Sequence, residues 1–222
     1  MSFIRLYTGY DKREAEGWHT FVQSVIDNSK DVALLWLYGE QKDGTNSFTY
    51  ERFRIMEKCS WSGWAIFMDG ADMLLRAHLD ELWSLRDKRF AVQVVKHDYQ
   101  TKHARKYVGT EMEASNEDYP RKNWSSLMLI NCAHMAHFRA REEIRQAIEA
   151  GNGKYLHRFS WLEDKEVGEL PREWNWLADE YGVNPQAKLL HWTAGIPGFK
   201  HYAKAPMSEH WHEAARTIHS ER

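Results

Sequence analysis

"WAIFMDGADMLL", residues 64–75, decides how this chain reads. An apolar run from Trp64 to Met68 meets two acids, Asp69 and Asp72, separated by Gly70 and Ala71, and apolar residues resume at Met73. A short, nearly continuous apolar run is the pattern of a strand buried on both faces. Carboxylates at i and i+3 converge only if the backbone bends, and Gly70 supplies the freedom to bend. Converged carboxylates repel unless a proton or a cation sits between them. A hard divalent cation with oxygen ligands, Mg²⁺ or Mn²⁺, is the natural partner, and it commonly completes its shell with phosphates and water. The plain alternative is a turn carrying two solvated acids, with Asp72 capping a helix.

Working outward, strand-like and helix-like segments alternate. "FIRLYTGY" (3–10) is β-rich, and a charged helical run spans 11–29. "DVALLWLY" (31–38) reads as a second strand buried on both faces, and "QKDGTN" (41–46) as a loop. Residues 49–59 read as a helix with Thr49 as its N-cap, and a short helix is expected around 78–85. "RFAVQVV" (89–95) alternates like a strand, and "SLMLINC" (126–132) reads as another buried one. A helix at about 134–150 stops at Gly151-Asn152-Gly153, and the last helix runs from about 208 to 219. Between these, 96–123 is polar and reads as a long functional loop or irregular insertion, while 154–222 is irregular and tryptophan-rich.

This order predicts an α/β fold with a mainly parallel central sheet and flanking helices. Ligands of such sheets bind outside the carboxyl ends of the strands, where Gly9-Tyr10-Asp11 and Asp69–Asp72 both fall. Thirty basic against 32 acidic residues give no field directed at nucleic acid or a membrane surface. No run approaches the roughly 20 apolar residues that span a bilayer, and the N-terminus is not patterned as a cleaved leader. Cys59 and Cys132 read as reduced core thiols of a cytoplasmic protein. Eleven tryptophans read first as packing, and second as stacking platforms for sugars or bases. "HWH" (210–212) reads as structural, with Trp211 packing inward.

A second feature is "KLLHWTAGIPGFKHY" (188–202). His191 ends an apolar run, and imidazole joined to carboxylates suits Mn²⁺ better than Mg²⁺. The glycines that follow let backbone N–H groups approach a phosphate, with Lys200 nearby to offset its charge.

Taken with "IRLYTGYD" (4–11), "TYERFRIMEKC" (49–59), "NWSSLMLINC" (123–132) and "LPREWNW" (170–176), these stretches resemble GT-A fold glycosyltransferases, close to glycosyltransferase family 8 and its bacterial and phage-like relatives. The resemblance implies a single GT-A, Rossmann-like domain over 1–222, with a nucleotide-binding half at 1–95 and an acceptor- and sugar-binding half at 96–222. It implies Mn²⁺ or Mg²⁺ held by Asp69, Asp72 and His191. Tyr7, Thr8, Gly9 and Asp11 would contact the nucleotide, with Arg52 and Asp69 near it, and Gly195 and Lys200 would approach the diphosphate. Asp164 and Asn175, from "FSWLEDKEVGELPREWNW" (159–176), would meet the transferred sugar. The implied reaction is transfer from a nucleotide-sugar donor, UDP-linked, to a glycan or other hydroxyl acceptor with retention. A catalytically idle nucleotide- or glycan-binding module and a nucleotidyltransferase are the alternatives. Three departures stand out: D-x-x-D where the family has D-x-D, a late loop in which Lys200 is displaced, and Trp124-Ser125-Ser126 where the family tends to have an Asn-small-Gly run.

Overall fold

The apolar runs become strands whose place in one sheet decides how deeply each is buried. The computed structural model of the chain describes residues 3–40 and 46–220, so the loop expected at 41–46 lies almost wholly outside the described residues. β1 (Ile4–Gly9) leads through a 3-10 turn into α1 (Ala15–Asn28) and then β2 (Val32–Leu37). α2 (Ile55–Lys58), β3 (Trp64–Gly70), β4 (Met73–Leu75), α3 (Leu79–Ser84) and β5 (Val92–Val94) follow. The long insertion carries a two-stranded ribbon, β6 (Arg105–Lys106) and β7 (Ala114–Ser115). Next come β8 (Leu127–Asn131), α4 (Met135–Arg139), α5 (Arg141–Glu149), α6 (Gly153–His157) and β9 (Val167–Glu169). The chain closes with β10 (Trp176–Leu177), α7 (Ala178–Tyr181), β11 (Leu189–His191) and α8 (Ser208–Ser220).

The main sheet has six strands in the order β2-β1-β3-β8-β5-β9. All run parallel except β8, which is antiparallel to both its neighbours. Side chains alternate across it as strand geometry requires. Leu6, Ile66, Met68, Leu127 and Leu129 face a core shared with Phe21 and Val25 of α1 and Leu79 and Leu82 of α3. Tyr7, Phe67, Met128 and Ile130 face a second core with Ile144 and Ile148 of α5 and Leu156 of α6. A smaller sheet, β10-β11-β4, packs with Trp192 and Trp211 into a third cluster.

Several expectations are corrected. The run at 31–38 is an edge strand, not one buried on both faces: β2 pairs only with β1, and Trp36 is 66% exposed. The helix expected at 49–59 is split into turns, a 3-10 segment at Glu51–Arg54 and the single turn of α2. Thr49 is not a cap; its carbonyl accepts from Arg52 Nε instead. The strand at 89–95 shortens to β5, and the helix at 134–150 breaks at Ala140, where φ is −91° and ψ is 8°. Conversely, β3 runs past Met68 through Asp69 to Gly70. Cys59 and Cys132 are buried free thiols, and Trp211 is buried.

The end of β3 positions the site. Thr8 pairs with Met68, but Gly9 pairs with Gly70, so Asp69 is the extra residue of a bulge. Bulges re-aim side chains and are common beside active sites. Gly70 follows at φ +96°, where a Cβ would stand 2.1 Å from Thr8 Oγ1. Replacing Gly70 by alanine therefore combines backbone strain with a clash. A loss of about 1–3 kcal/mol is expected in urea unfolding, together with a weakened response to divalent metal, because Asp69 and Asp72 flank the distortion.

Candidate active site

Asp69 leaves β3 at the bulge, Asp72 follows in a turn, and His191 ends β11. β11 pairs antiparallel with β4, setting His191 opposite Met73, and Trp192 N donates to the Asp72 carbonyl at 2.9 Å. Ligand atoms of Asp69, Asp72 and His191 lie within 4.8 Å of one another. His191 Nε2 is 3.2 Å from Asp72 Oδ2, while Nδ1 donates to Asn175 Oδ1 at 2.9 Å. Asn175 is fully buried and in turn donates to Ser126 Oγ at 2.9 Å. Arg52 Nη1 lies 2.5 Å from Asp69 Oδ1 as an ion pair and also donates to the Ser125 carbonyl. Phe67 stacks under the guanidinium, 4.7 Å from its centre.

The electrostatics follow from burial. Desolvation pushes the Asp69 carboxyl up to about 6, against the pull of Arg52 and with the push of Asp72. For His191 burial disfavours the charged ring, but the adjacent Asp72 carboxylate outweighs it and holds the imidazole above the usual histidine range. The cluster fits a divalent cation. Asp72 Oδ1 is buried with no hydrogen-bond donor among the described residues, and Asp69 Oδ1 has only the Arg52 ion pair. With Nδ1 committed to Asn175, the His191 nitrogen facing the acids is the one a metal would take, an outer-shell arrangement typical of metal-bound histidines.

A cavity of about 530 Å³ opens beside the cluster, lined by Arg52, Asp69, Asp72 and His191. The insertion 96–123 forms much of its wall, through Lys106, Tyr107, Met112, Tyr119 and Asn123 among others. That insertion is tied down. Glu180 of α7 accepts from Lys102 N at 2.9 Å and from Thr101 Oγ1, and Lys122 Nζ, 8% exposed, bonds Asn116 and the Glu117 carbonyl. Tyr107 N donates to the Ala194 carbonyl at 2.7 Å, and Val108 N donates to Tyr202 Oη at 2.8 Å.

Of the sequence-derived candidates, Arg52, Asp69, Asp72 and His191 meet at the cavity, and Asn175 supports His191 from behind. The others stand away from its lining. Tyr7 lies in the core beside Cys59, 3.6 Å away. Thr8 is wholly buried beneath Gly70, and Gly9 makes room for the Phe48 ring. Asp11 holds Arg13 and accepts from Ser47 N, and these bonds keep its carboxyl below the usual range despite burial. The missing side chain of Gly195 admits the Tyr202 ring, so this part of the late loop anchors the insertion, while Thr193 reaches the cavity. Lys200 is exposed on the surface, and Asp164, 91% exposed, pairs with Arg121. No tryptophan lines the cavity.

Sequence reading missed Glu14, which ends the 3-10 turn after β1 and faces the cavity. Burial, with Asp72 and Asp11 adding to it, pushes its carboxyl up to about 8. Oε2 accepts from Asn46 Nδ2 at 3.0 Å, and Oε1 is buried without an aligned donor among the described residues. Its only sequence signal is an acid one turn past a strand end, indistinguishable from the charged helix face around it.

The chain can now be set beside known proteins. It is 33% identical to Protein CDI of Arabidopsis thaliana over 227 residues, which cover 94% of this chain and 84% of that protein. The chain belongs to the family of Protein CDI. No protein-family model matches it. Its fold is that of the GT-A glycosyltransferases. The apo form of glycosyltransferase GlyE from Streptococcus pneumoniae TIGR4 superposes with a TM-score of 0.67 at 12% identity over 97% of this chain. The match spans 60% of the length of GlyE. The galactosyltransferase LgtC, solved with donor and acceptor sugar analogues, superposes with a TM-score of 0.64 at 12% identity, over 96% of each chain. No helix among the described residues is long and apolar enough to cross a membrane.

Two outcomes test this geometry. Glu14, with a folded value near 8 against an ordinary 4.5, favours the folded state less and less as pH climbs between those values. In metal-free buffer Glu14→Gln should therefore unfold at a higher temperature than wild type at pH 9, and the gap should close by pH 5. Asn175→Ala, which frees the His191 ring, should weaken Mn²⁺ binding by about 10–100-fold in calorimetric titration, with the Asp72 carboxylate still in place.

Proposed function

We propose that the chain is a glycosyltransferase that uses Mn²⁺ or Mg²⁺, held by Asp69, Asp72 and His191, to move a sugar from a nucleotide-diphosphate donor, UDP-linked, to a glycan or other hydroxyl acceptor. One observation carries the reading. A two-carboxylate, one-histidine cluster with an orphaned buried oxygen, Asp72 Oδ1, borders a cavity beside the end of β3 in a GT-A sheet. Retention of anomeric configuration is proposed on the sequence resemblance alone.

When bound, the cation would supply electrostatic stabilisation of the charge that develops on the departing diphosphate. The protein's own groups prepare that site. Arg52 offsets the charge of Asp69, whose carboxyl burial would otherwise leave protonated. Asn175 fixes the His191 ring through Nδ1, so Nε2 is the nitrogen that would be offered to a cation without reorienting the ring. Tyr107, Met112 and Tyr119 of the insertion wall the cavity on the side facing the cluster. An interior site in an otherwise neutral chain suits a small, anionic, metal-bridged substrate better than a polymeric nucleic acid.

The deciding experiment is a thermal-shift panel of UDP, GDP, CDP and their sugars, with and without Mn²⁺. UDP and UDP-sugars are expected to raise the midpoint only when Mn²⁺ is present, because ligand binding to the native state stabilises by mass action. Asp72→Asn should abolish that metal-dependent rise while leaving the metal-free midpoint near wild type. Failure of every nucleotide to stabilise the protein with either metal would end the transferase reading. Binding without slow donor hydrolysis or transfer would make it a nucleotide-binding module.

A further inference from the structure

The cavity wall also carries three cations that the metal cluster does not use. Lys106 ends β6, Lys154 lies on α6, and Arg158 follows that helix, and all three line the cavity. None of the three makes a side-chain ion pair or donates a side-chain hydrogen bond among the described residues. Lys106 has only the edge of a cation–π contact, 5.7 Å from the Tyr107 ring. Arg158 Nε is buried and unpartnered. Of the other ionisable groups of the cavity, Asp69 is matched by Arg52, Asp72 by His191 and Asp118 by Lys122 at 3.5 Å, while Glu14 accepts from Asn46 Nδ2. Glu117 is an exposed acid at the rim. His157, between Arg52 and this group, shares a 2.7 Å hydrogen bond with Ser125 Oγ and is held neutral, by burial first and then by Arg52 and Lys106.

A buried guanidinium nitrogen without an acceptor is costly, and cations left together unpaired repel. Arg52 stands between the two groups, paired to Asp69 on one side and felt by His157 on the other. A divalent ion on the acid cluster would answer the charge of a donor diphosphate there, leaving Lys106, Lys154 and Arg158 for something else.

We propose that Lys106, Lys154 and Arg158 form a second anion subsite in the same cavity, which takes a carboxylate or phosphate carried by the acceptor or by the transferred sugar. The proposal rests on the transferase reading for what surrounds it. The anion is recognised by charge-assisted hydrogen bonds from flexible ammonium groups and one planar guanidinium.

Calorimetric titration of wild type and of the paired variant Lys154→Met with Arg158→Met tests it. These changes keep the apolar stems and remove the charges. With Mg²⁺ present, UDP should bind the variant within about twofold of wild type. Inorganic phosphate or glucuronate, added to the Mg²⁺–UDP complex, should bind wild type and lose about tenfold or more in the variant. The source of the anion separates in a second arm. A UDP-glucuronate advantage over UDP-glucose that vanishes in the variant assigns the anion to the sugar. Equal binding of the two donors, with the response to added glucuronate or phosphate retained, assigns it to the acceptor. Loss of UDP itself in the variant overturns the proposal, because the cations would then serve the diphosphate. So does the absence of any anion response in wild type that binds UDP. If UDP fails to bind at all, the transferase reading falls. Phosphate titrated alone then decides the subsite: binding to wild type but not to the variant upholds it, and no difference overturns it.

Discussion

The molecule is organised around two carboxylates made to face one buried space. Like charges a few ångströms apart in a poorly solvated site repel strongly, and each needs its own compensation. Asp69 takes Arg52, delivered by the 3-10 segment before α2 and cushioned on Phe67. Asp72 takes His191, delivered by a strand of the second sheet. These partners come from sequence positions far apart, so the cluster exists only when the main sheet, the small sheet and the segment ahead of β3 are all assembled. Much of the fold can be understood as the scaffold that brings those charges to one place.

The cavity depends on the same logic at its roof. A segment as long as 96–123 carries many backbone donors and acceptors, and burying any of them unpaired is expensive. The chain pairs them with side chains of α7 and with the loop after β11, through Glu180, the Ala194 carbonyl and Tyr202. Asp179 reinforces that loop by accepting from Ala194 N at 2.6 Å. The C-terminal third therefore contributes His191 to the acid cluster and the anchorage of the roof. Its tryptophans serve packing: Trp174, Trp192 and Trp211 are all buried.

The sequence was most informative where burial acts on a whole element. The apolar runs at 4–9, 64–68 and 127–131 are strands of the main sheet, and the acid pair at the end of β3 and His191 at the end of β11 stood out in the sequence as polar groups ending apolar runs. The run at 31–38 misled because apolar content does not report whether a strand has one neighbour or two. Tyr7, Thr8, Gly9 and Asp11 occupy a strand end, as read, but which way each side chain points is a property of the packed sheet: Tyr7 enters one core and Thr8 lies under Gly70. Asp164 illustrates the same limit, since an acid in an irregular stretch has no pattern to say whether it faces a cavity or water. Glu14 was invisible for the opposite reason. A buried acid whose titration is set by burial and by the distant Asp72 leaves no local signature.

The spacing of the acid pair shows how backbone detail decides where two carboxylates meet. One residue more between the acids should swing the second carboxylate away. The bulge at Asp69 takes up part of the excess, since it turns that side chain out of the strand's alternation. Gly70, at φ +96°, then reverses the chain, and Ala71 completes the turn. That turn has to nest against α1, and it does so at Gly17, where a Cβ would stand 2.3 Å from the Ala71 carbonyl oxygen. A glycine inside a helix costs roughly 1 kcal/mol relative to alanine, so its presence here is explained by the close approach it permits. Three local features, a bulge, a left-handed glycine and a helix glycine, together return Asp72 to within reach of His191. The D-x-x-D spacing thus brings its carboxylates to one place by way of a bulge and two close-packed glycines.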